Sequence, residues 1–175
     1  MINLTEHIRT IPDFPKPGIL FYDITTLIHH AEAFRETVRQ LADAVKAWGS
    51  IDLIAAPEAR GFIFAAPLAL ELGAGLIPIR KPGKLPFTTV AKSYELEYGT
   101  NTIQIHGDAI SPGNRVLLLD DLLATGGTME ATRQLVAELG GEIVGAIFVM
   151  ELLALKGREK IGMPNIKSLL KFEYC

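Results

Sequence analysis

The densest chemistry in the chain lies in Val116-Leu117-Leu118-Leu119-Asp120-Asp121-Leu122-Leu123-Ala124-Thr125-Gly126-Gly127-Thr128. An apolar strand at 116–119 runs into two adjacent acids, then a turn of small residues, then a helix over Gly126–Leu139. A helix N-terminus offers unbonded N–H groups and the positive end of the helix dipole. Gly126 and Gly127 admit an anion to the backbone, and Thr125 and Thr128 add hydroxyl donors, so Ala124 to Thr128 reads as a phosphate cradle. The loop lacks the lysine of a nucleoside-triphosphate loop, which argues against that ligand class. Two carboxylates beside a phosphate repel it unless the same ligand also presents hydroxyls or a metal. A ribose 5-phosphate has that layout, with a phosphate at one end and a cis-diol a few ångströms away. Taken singly, Asp120 also fits a turn residue and Asp121 a solvated acid; the whole run is what points to binding.

A second set of residues is basic. Arg60 follows a short apolar strand at its carboxyl end, beside Ala56-Pro57-Glu58-Ala59. A guidinium-type fork of donors there suits a pair of diphosphate oxygens, though a surface arginine opening a helix is the plainer alternative. Arg80, Lys81 and Lys84 stand together with no acid among them, and Pro82 and Gly83 keep the stretch out of a helix. A solvated loop explains such a run equally well; a departing diphosphate would need donors of this kind.

These residues need elements to hold them. Phe34, Val38, Leu41, Ala42, Val45 and Trp48 recur at helical spacing within 31–48, with Gly49 as the stop. Ile51–Ala56 is a short apolar strand. Gly61–Ile79, where Glu71 is the only charge, is long enough for a membrane span. Pro67, Pro78 and the Gly73/Gly75 pair instead favour a buried helix (Phe62–Leu72), a turn (Gly73–Gly75) and a buried strand (Leu76–Ile79). Ile143–Met150 is another continuous apolar strand. Apolar strands alternating with helices imply a parallel sheet covered on both faces. Residues 80–106 break the rhythm. They read as an exposed loop followed by a hairpin-like excursion, with strands near 90–98 and 102–106 joined at Gly99-Thr100-Asn101.

Composition fits this picture. The 175 residues are 49% hydrophobic and 21% charged, with a net charge of -3, so neither a disordered chain nor non-specific nucleic-acid binding is expected. Mean hydropathy is +0.26, which buried strands and helices account for. The lone Cys175 excludes an internal disulfide or a cysteine-based zinc site. His7, His29, His30 and His106 have no metal-ligand spacing and read as surface or capping residues. Met1 to Thr10 carries Glu6, His7 and Arg9 and no apolar signal core, so a cytoplasmic protein is expected, with no membrane association.

The run at 116–128 resembles the phosphoribosyl-diphosphate (PRPP) signature of the type I phosphoribosyltransferases. Further segments, in order, resemble those of the adenine phosphoribosyltransferases. They are Phe14-Pro15-Lys16-Pro17-Gly18-Ile19-Leu20-Phe21, Glu58-Ala59-Arg60-Gly61-Phe62, Ile79-Arg80-Lys81-Pro82-Gly83-Lys84-Leu85-Pro86, Tyr94-Glu95-Leu96-Glu97-Tyr98-Gly99 and Leu155-Lys156-Gly157-Arg158-Glu159-Lys160. The resemblance covers nearly the whole chain. It implies an α/β fold, with a central mostly parallel sheet flanked by helices, a small hood and a flexible lid loop. It implies one domain over 1–175, with 1–30 as the hood and base-binding segment and 85–106 as the lid excursion.

The resemblance also implies roles. Asp120 and Asp121 would hold the ribose of PRPP and Ala124, Thr125, Gly126, Gly127 and Thr128 its 5-phosphate. Arg60, Arg80, Lys81 and Lys84 would hold the diphosphate, and Mg²⁺ would be bound mainly through PRPP, with no metal ligand set of the protein's own. Leu20 and Phe21 would bind adenine, by backbone and by ring stacking, unless Phe21 is core. Glu97 would be the catalytic residue of the lid, acting on the purine ring as general acid/base or orienting acceptor, with Tyr98 beside it; without the resemblance it reads as an ordinary surface glutamate. A cis peptide is implied near Glu58–Ala59, and a homodimer in which the basic loop reaches the partner's site. There is one departure: the family commonly has a basic residue after the phenylalanine, where this chain has Tyr22. Altered substrate affinity is the expectation there. A phosphoribosyltransferase for another base and a PRPP-sensing regulator are the competing readings. A regulator would usually add a DNA-binding segment or a basic surface, and neither is evident.

Overall fold

The computed structural model describes residues 2–95 and 99–173. In chain order its elements are β1 (Arg9–Pro12), β2 (Leu20–Asp23), α1 (Thr25–His29), α2 (Ala31–Val45), β3 (Leu53–Pro57), α3 (Arg60–Leu72) and β4 (Gly75–Ile79). They continue with β5 (Thr89–Glu95), β6 (Thr100–His106), β7 (Arg115–Leu123), α4 (Gly127–Glu138), β8 (Glu142–Leu152), α5 (Gly157–Ile161) and β9 (Ile166–Phe172).

The main sheet has the order β4-β3-β7-β8-β9, and every neighbouring pair is parallel. Its strands are apolar without alternation because both faces are covered. Along β7, Leu117 and Leu119 face a core built with α2 and α3. Val116 and Leu118 face a second core, shared with α4 and the β5–β6 hairpin. The period of two in side-chain direction thus feeds two separate cores from one strand. Two antiparallel ribbons, β1–β2 and β5–β6, lie outside this sheet.

Several boundaries move from the sequence expectation. The stretch 61–79 is the expected helix, turn and strand, the helix beginning at Arg60 and passing through Pro67 to a left-handed Gly73. No helix among the described residues is long and apolar enough to cross a membrane. The helix at 31–48 closes as a 3-10 turn over Lys46–Trp48, and His30 caps its start by accepting a hydrogen bond from the Ala33 amide at 3.2 Å. The strand expected at 116–119 runs on to Leu123, so both acids are strand residues and not part of the turn. Asp120 pairs with Phe148 and Leu122 with Met150 across the ladder to β8. The short elements β1, β2, α1, α5 and β9 carry too little periodicity for the sequence to announce them.

Candidate active site

The parallel strands β3 and β7 end on the same edge of the sheet, where the carboxyl ends of such strands leave a crevice. At the end of β7 the chain turns through Ala124 and Thr125 to Gly126, whose φ of +81° begins α4. A hollow of about 70 Å³ lies inside this turn, lined by Asp120 and Ala124 to Thr128 among others. The first amides of α4 have no side-chain cap, so they remain available to a bound anion.

The turn is supported from outside by α5. A Cβ on Gly126 would stand 2.5 Å from the carbonyl oxygen of Gly157, and one on Gly157 would collide with the carbonyl oxygen of Ala124. The two backbones therefore touch, which only glycine permits. The segment is held in turn by Arg158. Its Nε and Nη2 donate to the two carboxylate oxygens of Glu151 at 2.6 Å, and Nη1 donates to the Ile166 carbonyl at 2.7 Å. The Ser168 hydroxyl completes the set by donating to Glu151 at 2.7 Å. Burial opposes ionisation of Glu151, but Arg158 and Ser168 outweigh it and hold the carboxyl below its usual range.

Asp120 and Asp121 sit side by side. The Asp121 amide donates to Asp120 Oδ1 at 2.9 Å. Asp121 is buried, at 3% exposure. Its Oδ2 lies 2.8 Å from Arg60 Nε, an ion-pair contact too poorly aligned for a hydrogen bond. Desolvation, with the Asp121 charge beside it, pushes the Asp120 carboxyl well above the usual range. Desolvation raises Asp121 too, and Arg60 opposes it.

The basic residues divide. Arg60 and Lys81 line a hollow of about 150 Å³ together with Glu58, Asp120, Asp121 and Thr128. Arg80 stands next to it, its Nε donating to Glu58 Oε2 at 2.5 Å while the Lys81 amide donates to Glu58 Oε1 at 3.2 Å. Burial works against ionised Glu58, yet these donors win and its carboxyl sits low. Lys84 is not brought to this hollow. It lines a separate cleft of about 530 Å³ with Phe62, Leu76, Arg80 and His106. The Glu58–Ala59 peptide is cis, as the resemblance implies.

Leu20 and Phe21 stand on β2 and line an apolar pocket of about 380 Å³ with Tyr22, Leu122, Thr125 and Leu155. Phe21 is half-buried and meets Phe14 edge-on at 5.1 Å, so it is not a core residue. Tyr22 stacks on Phe172 at 4.1 Å, fastening β2 to the end of β9. Glu97, Tyr98 and Cys175 lie outside the described residues.

Some residues at this site carry no role in the sequence reading. Glu58 is one, and its signal is its place two residues before Arg60 in the same turn. Glu151 is another, signalled by an acid closing the apolar run 143–150. Tyr94 is a third. Its hydroxyl lies 2.9 Å from Thr128 Oγ1, across 34 residues of sequence, and no local pattern shows that.

Comparison with known proteins agrees with the geometry. The phosphoribosyl transferase domain model matches residues 24–170. An adenine phosphoribosyltransferase of Alkaliphilus metalliredigens is 56% identical over 171 residues, covering 98% of this chain and 100% of the relative. The crystal structure of adenine phosphoribosyltransferase from Thermoanaerobacter pseudethanolicus superposes with a TM-score of 0.92 at 53% identity, over 97% of this chain and 100% of that one. That of the Saccharomyces cerevisiae enzyme, complexed with an imino-altritol bisphosphate and adenine, gives 0.89 at 38% identity over 95% and 96%. The chain belongs to the phosphoribosyltransferase family, alongside its adenine phosphoribosyltransferase relatives.

Proposed function

We propose that the protein is an adenine phosphoribosyltransferase, a purine-salvage transferase that moves the 5-phosphoribosyl group of PRPP to adenine and releases AMP and diphosphate. One observation carries this reading: three hollows adjoin and share walls. Leu122 and Thr125 belong to both the apolar pocket and the phosphate turn, and Asp120 and Thr128 to both the turn and the basic hollow. A planar base, a sugar 5-phosphate and a diphosphate would occupy the three respectively, with the ribose spanning the shared walls so that its anomeric carbon faces both base and diphosphate. The purine nitrogen forms a bond to that carbon as the bond to diphosphate breaks. Diphosphate leaves with the electron pair, and the purine nitrogen loses its proton.

In this reading Ala124 to Thr128 bind the 5-phosphate, Asp120 and Asp121 the ribose hydroxyls, and Arg60, Arg80 and Lys81 the departing charge. Leu20 and Phe21 hold adenine. Glu97, with Tyr98 beside it, serves as the acid/base at the purine ring. Among the described residues no cluster of three metal-ligating side chains occurs. A hard cation needs about six oxygens, so Mg²⁺ would enter with PRPP and take at most Asp120 and Asp121 from the chain, where Asp121 Oδ2 already faces the Arg60 guanidinium at 2.8 Å. Its chemistry would be to offset diphosphate charge. Lys84, turned to its own cleft, and the exposed Leu70, Ile63 and Leu76 support a homodimer whose basic loop is shared between subunits. A cytoplasmic location suits substrates that are charged phosphate esters.

Conversion of radiolabelled adenine to AMP with PRPP and Mg²⁺ tests the reading. Turnover with another base and none with adenine would overturn the substrate and keep the class. Tyr22→Arg removes the stack on Phe172 and is expected to shift KM for one or both substrates; unchanged kinetics would remove Tyr22 from the account.

A further inference from the structure

We propose that Tyr94 is a positioning residue that orients the Thr128 hydroxyl toward the 5-phosphate and so couples phosphate binding to the seating of β5 on the phosphate turn. The proposal rests on the assignment of Ala124 to Thr128 as the phosphate site.

The contact is specific on both sides. Tyr94 is on β5, which is paired in full register with β6 from Thr89↔His106 to Glu95↔Thr100. A hydroxyl bond at 2.8 Å between Ser93 and Thr102 pins that register next door. The Tyr94 ring closes on the start of α4, with Cδ2 3.1 Å from where a Cβ on Gly127 would stand. Its hydroxyl oxygen then lies 2.9 Å from Thr128 Oγ1, with either oxygen able to donate. The same two residues line the hollow that holds Arg60, Asp120 and Asp121.

The proton count gives the pair its function. Thr128 has one hydroxyl proton. A phosphate dianion only accepts, so a Thr128 bound to it must give it that proton. The Tyr94 phenol must then donate to Thr128 Oγ1. An anion in the turn thereby fixes the direction of a bond that is otherwise free to run either way. Tyr94 in return holds the Thr128 rotor where its proton faces the anion. Because binding couplings are reciprocal, phosphate in the turn strengthens the seating of β5, and a seated β5 strengthens phosphate binding.

Tyr94→Phe deletes the one oxygen and keeps the ring. Calorimetric titration of the full chain with ribose 5-phosphate reads the phosphate end without the diphosphate. The expected result is a Kd raised by up to about fivefold, the value of one hydrogen bond, with a melting temperature lowered by no more than about 2–4 °C, since the same bond also ties β5 to α4. Thr128→Val should weaken binding by itself, and the double variant should be no weaker than Thr128→Val alone. Equal affinity for Tyr94→Phe and the parent, or effects of the two substitutions that simply multiply, would overturn the proposal while leaving the phosphate site standing. A parent chain that fails to bind ribose 5-phosphate would instead overturn the phosphate-site reading, and this proposal with it.

Discussion

The two ends of the site are built on opposite plans. The turn proposed for the 5-phosphate is made of backbone: uncapped amides, small residues and a neighbouring backbone at Gly157 that leaves no room for a side chain. The end proposed for diphosphate is made of long side chains, and its two arginines are engaged within the protein. Arg60 rests on Asp121 and Arg80 on Glu58. The first plan gives a hollow that exists before the ligand arrives. The second gives cations held in place by carboxylates that a diphosphate must displace or share. A fixed cradle suits the group that stays attached throughout the reaction. An exchangeable one suits the group that must leave.

The largest effect should come from disturbing the fixed end. Gly157→Ala forces its Cβ into the Ala124 carbonyl, and a displacement of the turn by about 1 Å should cut kcat/KM on the order of 100-fold. Near-parent kinetics would show that the turn is as pliable as the other end. Arg60→Ala comes next. It removes a proposed diphosphate donor and also leaves Asp121 buried without its counter-charge, so kcat/KM should drop roughly 10- to 100-fold with a lowered melting temperature. A fall in stability alone, with intact kinetics, would reduce Arg60 to a structural partner. Glu58→Gln should free Arg80 and tighten product inhibition by diphosphate, by roughly two- to fivefold. Weaker inhibition would mean that Glu58 positions the arginine and does not compete for it.

The smallest effect is on stability. Asp120 binds its proton more tightly folded than unfolded, because desolvation and the Asp121 charge disfavour its ionised form. The folded state therefore loses stability as pH rises from the ordinary carboxylate pKa, about 4, through the raised native value. Asp120→Asn should remove that slope and raise the melting temperature of the unliganded protein by about 2–4 °C at neutral pH, with activity lost. A melting temperature that falls, measured by calorimetry across that range, would show the carboxylate to be a net stabiliser.

The same contrast decides what could be read from the sequence. The phosphate turn is contiguous, so strand, acids, glycines and helix appear in order within 116–128. The main strands and α2 to α4 are long enough for their apolar patterns to show. The diphosphate end is assembled from residues tens of positions apart. Their types are visible, but the ion pair from Glu58 to Arg80 and the turning of Lys84 into another cleft depend on the tertiary path of 80–86. Leu20 and Phe21 were legible through resemblance, since a four-residue strand has too little pattern of its own. Glu151 and Arg158 belong to the same class as Tyr94: distant partners that meet only once β8, α5 and β9 have packed.

The contact between Gly126 and Gly157 also bears on timing. A domain folds as a unit, and its chain is synthesised from the N-terminus. A nascent chain that has cleared Leu139 carries the whole signature from Val116 to Thr128, yet the backbone that braces the turn is still unmade. The brace needs Gly157, then Ile166 and Ser168 to fix Arg158. The residues that brace the turn are therefore synthesised after the motif they support, and the turn gains its support only when the C-terminal segment has packed.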